Sequence, residues 1–171
     1  NRADSSDYGF WLGYSTGNTV QGNVILGSRS VGIAIEHGAT NRLLSNMVMG
    51  GKTGILLFIR DSNGPASRDY VVDGNTIGGV TRGLVLRRTA HVRVRGNTFD
   101  GVDEGLVADS TGRDAQVTGN VFLRAQQYFI VAPELTAGSN YWATATEAEA
   151  AARVKGAVVL QPWFPASAAG Y

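Results

Sequence analysis

The chain has no cysteine, which excludes disulfides, thiolate metal sites and cysteine nucleophiles while leaving the compartment open. Only two histidines and two methionines occur in 171 residues, so imidazole and thioether chemistry is confined to a few positions. Neither charge sign dominates. Fifteen Lys plus Arg against fourteen Asp plus Glu leave a formal net charge of +1, which gives no basic field for nucleic acid and no acidic run that would keep a chain disordered. No apolar run approaches the roughly 18 residues needed to span a bilayer, and neither a nucleic-acid nor a membrane partner is expected.

Glycine is plentiful, at 23 residues, but does not recur at every third position, which favours repeated tight turns over collagen. Asparagine recurs at intervals. Asn1, Asn23, Asn46, Asn75, Asn97 and Asn120 are separated by 22, 23, 29, 22 and 23 residues, and Gly9, Gly32, Gly54, Gly83 and Gly105 follow the first five. Each glycine opens a short apolar run, as in Gly32-Ile33-Ala34-Ile35. Periods of this length signal stacked repeats. Three short alternating runs per period are too short for helices and suit strands. Gly and Asn turn the chain through positive φ at the corners. The spacing therefore predicts coils of three strands stacked about 4.8 Å apart, with asparagine amides donating to one neighbouring coil and accepting from the other. Ile33, Ile35, Ile55, Leu57, Leu84, Leu86 and Leu106 are the expected apolar columns.

The run Asn41-Arg42-Leu43-Leu44-Ser45-Asn46-Met47-Val48 followed by Gly54-Ile55-Leu56-Leu57 resembles the repeats of right-handed parallel β-helices of the pectate-lyase-like superfamily. The resemblance covers roughly residues 1 to 140. It implies an all-β, right-handed parallel β-helix of about six coils over residues 1–140, with a carboxyl-terminal cap over 141–171. It says less about activity, because the same coil serves lyases, hydrolases, epimerases, adhesins and accessory proteins such as the copper-site maturation protein NosD.

Two departures from the period stand out. The 29-residue step carries an insertion, residues 59 to 69, of the kind that forms loops on a binding face. At the carboxyl end the ladder stops. Thr144-Ala145-Thr146-Glu147 has the form of a capping box before an alanine-rich run, which predicts a short helix near 145–155. A last strand is expected over 156–160, with Trp142, Trp163 and Phe164 sealing the final coil. At the other end, Asn1 is already a rung. The expectation is that further coils precede it, or that another protein chain or a second copy covers the first coil.

The superfamily's substrate groove runs along the outer face of the Gly-initiated strands, where Trp11 and then Glu36, Phe58 and Arg87 point outward. Glu36-His37-Gly38 is the segment that places a carboxylate beside a histidine. His37 is the candidate base and Glu36 its partner, the alternative being a polar corner. Arg60 and Asp61 start the insertion and can reach over the same face. Arg60 is the candidate catalytic arginine and Asp61 a substrate contact, the alternative being a solvated loop ion pair. Trp11, Tyr14 and Phe58 offer a sugar-stacking platform, unless a preceding coil covers Trp11. Arg87 is a further substrate contact, or pairs with Asp109 one coil away. Asp61-Ser62-Asn63-Gly64 has the start of a calcium loop but lacks the distant glutamate, so no metal or other cofactor is assigned. His91 stands alone at a corner, suited to a turn or surface role.

Together these features favour a secreted, periplasmic or cell-surface protein that binds or modifies a polysaccharide. If it is catalytic, lyase or epimerase chemistry on a uronate suits its residues. The alternative is a non-catalytic accessory or structural β-helix of the NosD or adhesin kind, or a fragment completed by another chain.

Overall fold

The computed structural model describes residues 1–61, 64 and 66–170. It is a right-handed parallel β-helix of about seven turns. A typical coil starts with a three-residue strand, Thr19–Gln21. It turns at Gly22-Asn23, runs through the long strand Val24–Glu36 and turns again to Arg42–Leu44 in the next coil. The long strands Val24–Glu36, Met47–Phe58, Thr76–Arg87, Thr98–Ala108 and Val121–Thr136 pair in parallel to form one sheet. The short strands Thr19–Gln21, Arg42–Leu44, Val71–Asp73, Arg93–Arg95 and Gln116–Thr118 form a second. Ser67–Arg68 and Thr89–Ala90 pair at the corner between them.

The residue before each ladder asparagine from Asn23 onward is left-handed: Gly22, Ser45, Gly74, Gly96, Gly119 and Ser139 all have φ between 51° and 66°. That corner turns each asparagine side chain inward. Asn97 shows the full pattern. Its Oδ1 accepts from the backbone N and the Nδ2 of Asn75, and its Nδ2 donates to Asn120 Oδ1 and to Val72 O, all at 2.9 Å. Every polar valence of a buried amide is used, which a stack of identical positions makes possible.

The ladder does not stop at Asn120. Asn140 forms another rung, with its Oδ1 2.9 Å from Asn120 Nδ2, and this rung carries the solenoid one turn past the six expected. The glycine column has a steric cause. A Cβ on Gly32, Gly54, Gly83 or Gly105 would lie 2.4 to 2.7 Å from a carbonyl oxygen of the next coil, a distance only hydrogen tolerates. The predicted apolar columns are fully buried, from Ile33 at 0% to Leu86 at 1% exposure.

The far end closes with aromatic rings. Phe99, Phe122 and Trp142 stack at 4.9 and 4.7 Å in successive coils. Trp163 packs against the same core, whereas Phe164 is 37% exposed and meets Tyr141 outside it. The helix is Glu147–Ala151. Its capping box is shifted by two residues from the expected one. Thr146 Oγ1 accepts from Glu149 N and Glu149 Oε2 accepts from Ala145 N, while Glu147 accepts from Gln161. Val154–Val159 and Trp163–Pro165 then rejoin the long sheet.

Candidate functional site

Outer-face register sets Gly13, Glu36, Phe58 and Arg87 side by side, and Trp11 beside Ala34, Leu56 and Val85. Glu36, one residue before a corner, is 8% exposed because Arg60, at the start of the insertion, folds back over it. Arg60 Nε lies 3.3 Å from Glu36 Oε1. The same guanidinium sits 5.8 Å from the Trp11 ring centroid, and Trp11 packs on Tyr8 at 4.5 Å. One coil further along, Phe58 is buried against Val31 and Ala34, with the Arg87 guanidinium 5.7 Å above its ring.

His37 begins the corner in a left-handed conformation, φ 51°. Tyr14, at the equivalent position one coil earlier, stacks on it at 4.8 Å with 10° between the planes. Asp61 Oδ1 lies 4.0 Å from His37 Nε2. Gly64 packs so closely that a Cβ there would come within 2.4 Å of Nδ1. The His37 side chain is 0% exposed as a result. The insertion thus brings Glu36, His37, Arg60, Asp61, Trp11 and Tyr14 into one cluster, with Phe58 and Arg87 beside it. The calcium-loop-like run includes Ser62 and Asn63, which lie outside the described residues.

A groove of about 520 Å³ adjoins this cluster, lined by Tyr8, Val31, Lys52, Leu56 and Arg82 among others. Arg87 and Asp109 do not form the pair expected from their positions. Asp109 instead accepts from Arg88 N at 2.7 Å and Thr111 N at 3.0 Å, capping a short 3-10 turn.

Sequence reasoning also missed a dyad. His91 is not alone: its Nδ1 lies 2.8 Å from Asp114 Oδ2. The signal was present, since 69, 91 and 114 are spaced by 22 and 23 residues and hold Asp, His and Asp.

No curated protein and no solved structure matches the chain. A family model described as periplasmic copper-binding protein (NosD) matches residues 1–156. Copper favours thiolate, thioether and imidazole donors. The chain has no cysteine, its two histidines each face an aspartate, and among the described residues no group of three His, Cys, Asp or Glu is placed to hold an ion. Among the described residues, the histidines and carboxylates do not assemble a copper site. The match spans nearly the whole solenoid, and the chain belongs to the NosD family.

Proposed function

We propose that this chain is a non-catalytic accessory β-helix of the periplasm, in which the polar cluster on the long sheet fastens the insertion instead of performing chemistry. The observation that carries this reading is the enclosure of His37, with Tyr14 on one face of the ring, Gly64 against it and no exposed side-chain surface. A general base must come within hydrogen-bond reach of a substrate proton, directly or through one water. An enclosed ring does not, and the neighbouring carboxylate of Glu36 is already paired with Arg60. The family's description, periplasmic copper-binding protein, supports the periplasmic compartment, and on this reading the solenoid supports another component that holds the ion.

The test is a polysaccharide panel, uronate polymers included, followed by the ultraviolet absorbance of a new conjugated double bond and by release of reducing ends. The scaffold reading expects neither signal. Turnover that His37→Ala abolishes would overturn it.

A second reading, polysaccharide binding without cleavage, is favoured by the groove beside the half-exposed Trp11. Aromatic faces and cationic side chains along a groove suit an acidic glycan. Retardation in polysaccharide-containing gels that is lost in Trp11→Ala supports it, and unretarded migration counts against it.

A further inference from the structure

Around the corner from the Glu36–Arg60 pair, the short sheet presents side chains that the scaffold role does not use. Register places Val71, Arg93 and Gln116 side by side. Two residues earlier in each coil, Asp69, His91 and Asp114 form a parallel column. All six line one pocket of about 310 Å³. Coils stack about 4.8 Å apart, so one small molecule seated there touches three of them. The volume lies at the small end of the roughly 300–1,000 Å³ typical of ligand sites, which suits a single small molecule better than a polymer.

The charges in the pocket are unevenly matched. Asp114 is engaged by one residue, with Oδ2 on His91 Nδ1 at 2.8 Å and Oδ1 accepting from His91 N at 3.0 Å. That grip fixes the ring and leaves Nε2 for a ligand, on a side chain that is 64% exposed. Asp69 pairs with Arg68 at 2.5 Å. Arg93 meets no carboxylate among the described residues. Both acids therefore already have a partner within the protein, Arg68 for Asp69 and His91 for Asp114, and the Arg93 guanidinium has no ion-pair partner among the described residues. Its planar fork of donors matches a carboxylate. The imidazole Nε2, the Gln116 amide and the Asp69 carboxylate between them donate and accept, as hydroxyl groups require. Tyr70 lines the same pocket, but its hydroxyl is turned inward, donating to Gly38 O at 2.7 Å.

We propose that this pocket binds a small polyhydroxylated carboxylate, with Arg93 holding the carboxylate and His91, Gln116 and Asp69 holding hydroxyls. The site lies at the start of the short sheet, with Asp69 at the far end of the insertion from Arg60, and does not depend on the scaffold reading.

Isothermal titration calorimetry with gluconate and glucuronate tests it, with sorbitol and glucose as neutral controls and propionate as a carboxylate without hydroxyls. At least one sugar acid binds; sorbitol and glucose, which lack the carboxylate, bind at least about tenfold more weakly, as expected when a charge-assisted hydrogen-bond pair is missing, and propionate, which lacks the hydroxyls, also binds more weakly. Arg93→Gln weakens that sugar acid by about the same factor, and His91→Gln weakens it several-fold. Both residues are exposed, so circular dichroism melts of the variants should match the parent. The proposal is overturned if neither acid binds at millimolar concentration, if sorbitol or glucose binds as well as the acids, or if Arg93→Gln leaves the affinity unchanged.

Discussion

Tyr14 lies flat on His37, ring centroids 4.8 Å apart, and both residues are left-handed with φ near 50°. They occupy the same corner position in successive coils, and the insertion starts two coils after Tyr14. Asp61 and Gly64 return to the His37 ring while Arg60 returns to Glu36. The Arg60 side chain is 63% exposed, so Arg60→Ala should cost less than about 1 kcal/mol of global stability. It should nonetheless raise the rate of limited proteolysis between Arg60 and Ser67 several-fold, because the tether and not the core is lost. Cleavage mapped by mass spectrometry checks this.

The asparagine ladder is the most sensitive buried element. Asn97→Ala would leave the backbone N of Asn75 without its acceptor, take from Asn75 Nδ2 one of its acceptors, and take from Val72 O and Asn120 Oδ1 a donor each. Each orphaned buried group costs about 1–3 kcal/mol, so a loss of about 3 kcal/mol or more is expected in urea unfolding. Asn1→Ala removes a single partly buried bond at 3.2 Å and should cost less than about 1 kcal/mol.

The glycine column gives a steric prediction. A Cβ on Gly83 would meet Gly105 O at 2.4 Å and Phe99 Cδ1 at 2.7 Å. Backbone on one side and a core ring on the other leave nowhere to move, so Gly83→Ala should cost about 1–3 kcal/mol through overpacking. Gly13→Ala, whose nearest neighbour is Trp11 Nε1 at 3.8 Å, should be close to neutral. Thermal melts of the two variants separate the cases.

Stability should fall at both ends of the pH scale for different reasons. Arg124 forks onto Asp100 at 2.6 and 2.7 Å and holds its carboxyl below the ordinary carboxylate value. A depressed carboxyl contributes stability above its unfolded value of about 3.9 and loses it as the pH falls through the folded value. Tyr70 is pushed upward by burial. Its contribution is complete below the unfolded value of about 10 and is lost as the pH rises through the folded one. Asp100→Asn should flatten the acid limb of a melting-temperature profile, and Tyr70→Phe the alkaline limb.

The coils were legible in the sequence because a solenoid repeats its physics. The asparagine that saturates its hydrogen bonds and the glycine that admits a neighbouring carbonyl must recur at each turn. Inward and outward positions followed from alternation, so Ile33 and Ile35 were assignable to the core and Glu36 to the outer column. Asn140 was missed because its step from Asn120 is 20 residues and no Gly-initiated strand follows it. The capping box was misplaced because Thr144-x-x-Glu147 and Thr146-x-x-Glu149 fit the same pattern, and only the second forms. Partners across coils were the hardest to read. Arg87 lies over Phe58 and Asp109 caps a turn, a choice made by side-chain geometry that register alone does not determine. The enclosure of His37 depends on how the insertion folds back, which its composition did not reveal.

The two histidines provide an internal comparison for the central claim that the Glu36–His37 cluster is closed. The His37 side chain is 0% exposed and that of His91 is 64% exposed. Carbethoxylation by diethyl pyrocarbonate of the folded protein, read by peptide mass spectrometry, should modify His91 rapidly and leave His37 protected until the chain is unfolded. Modification of His37 at the rate of His91 in the folded protein would contradict the account.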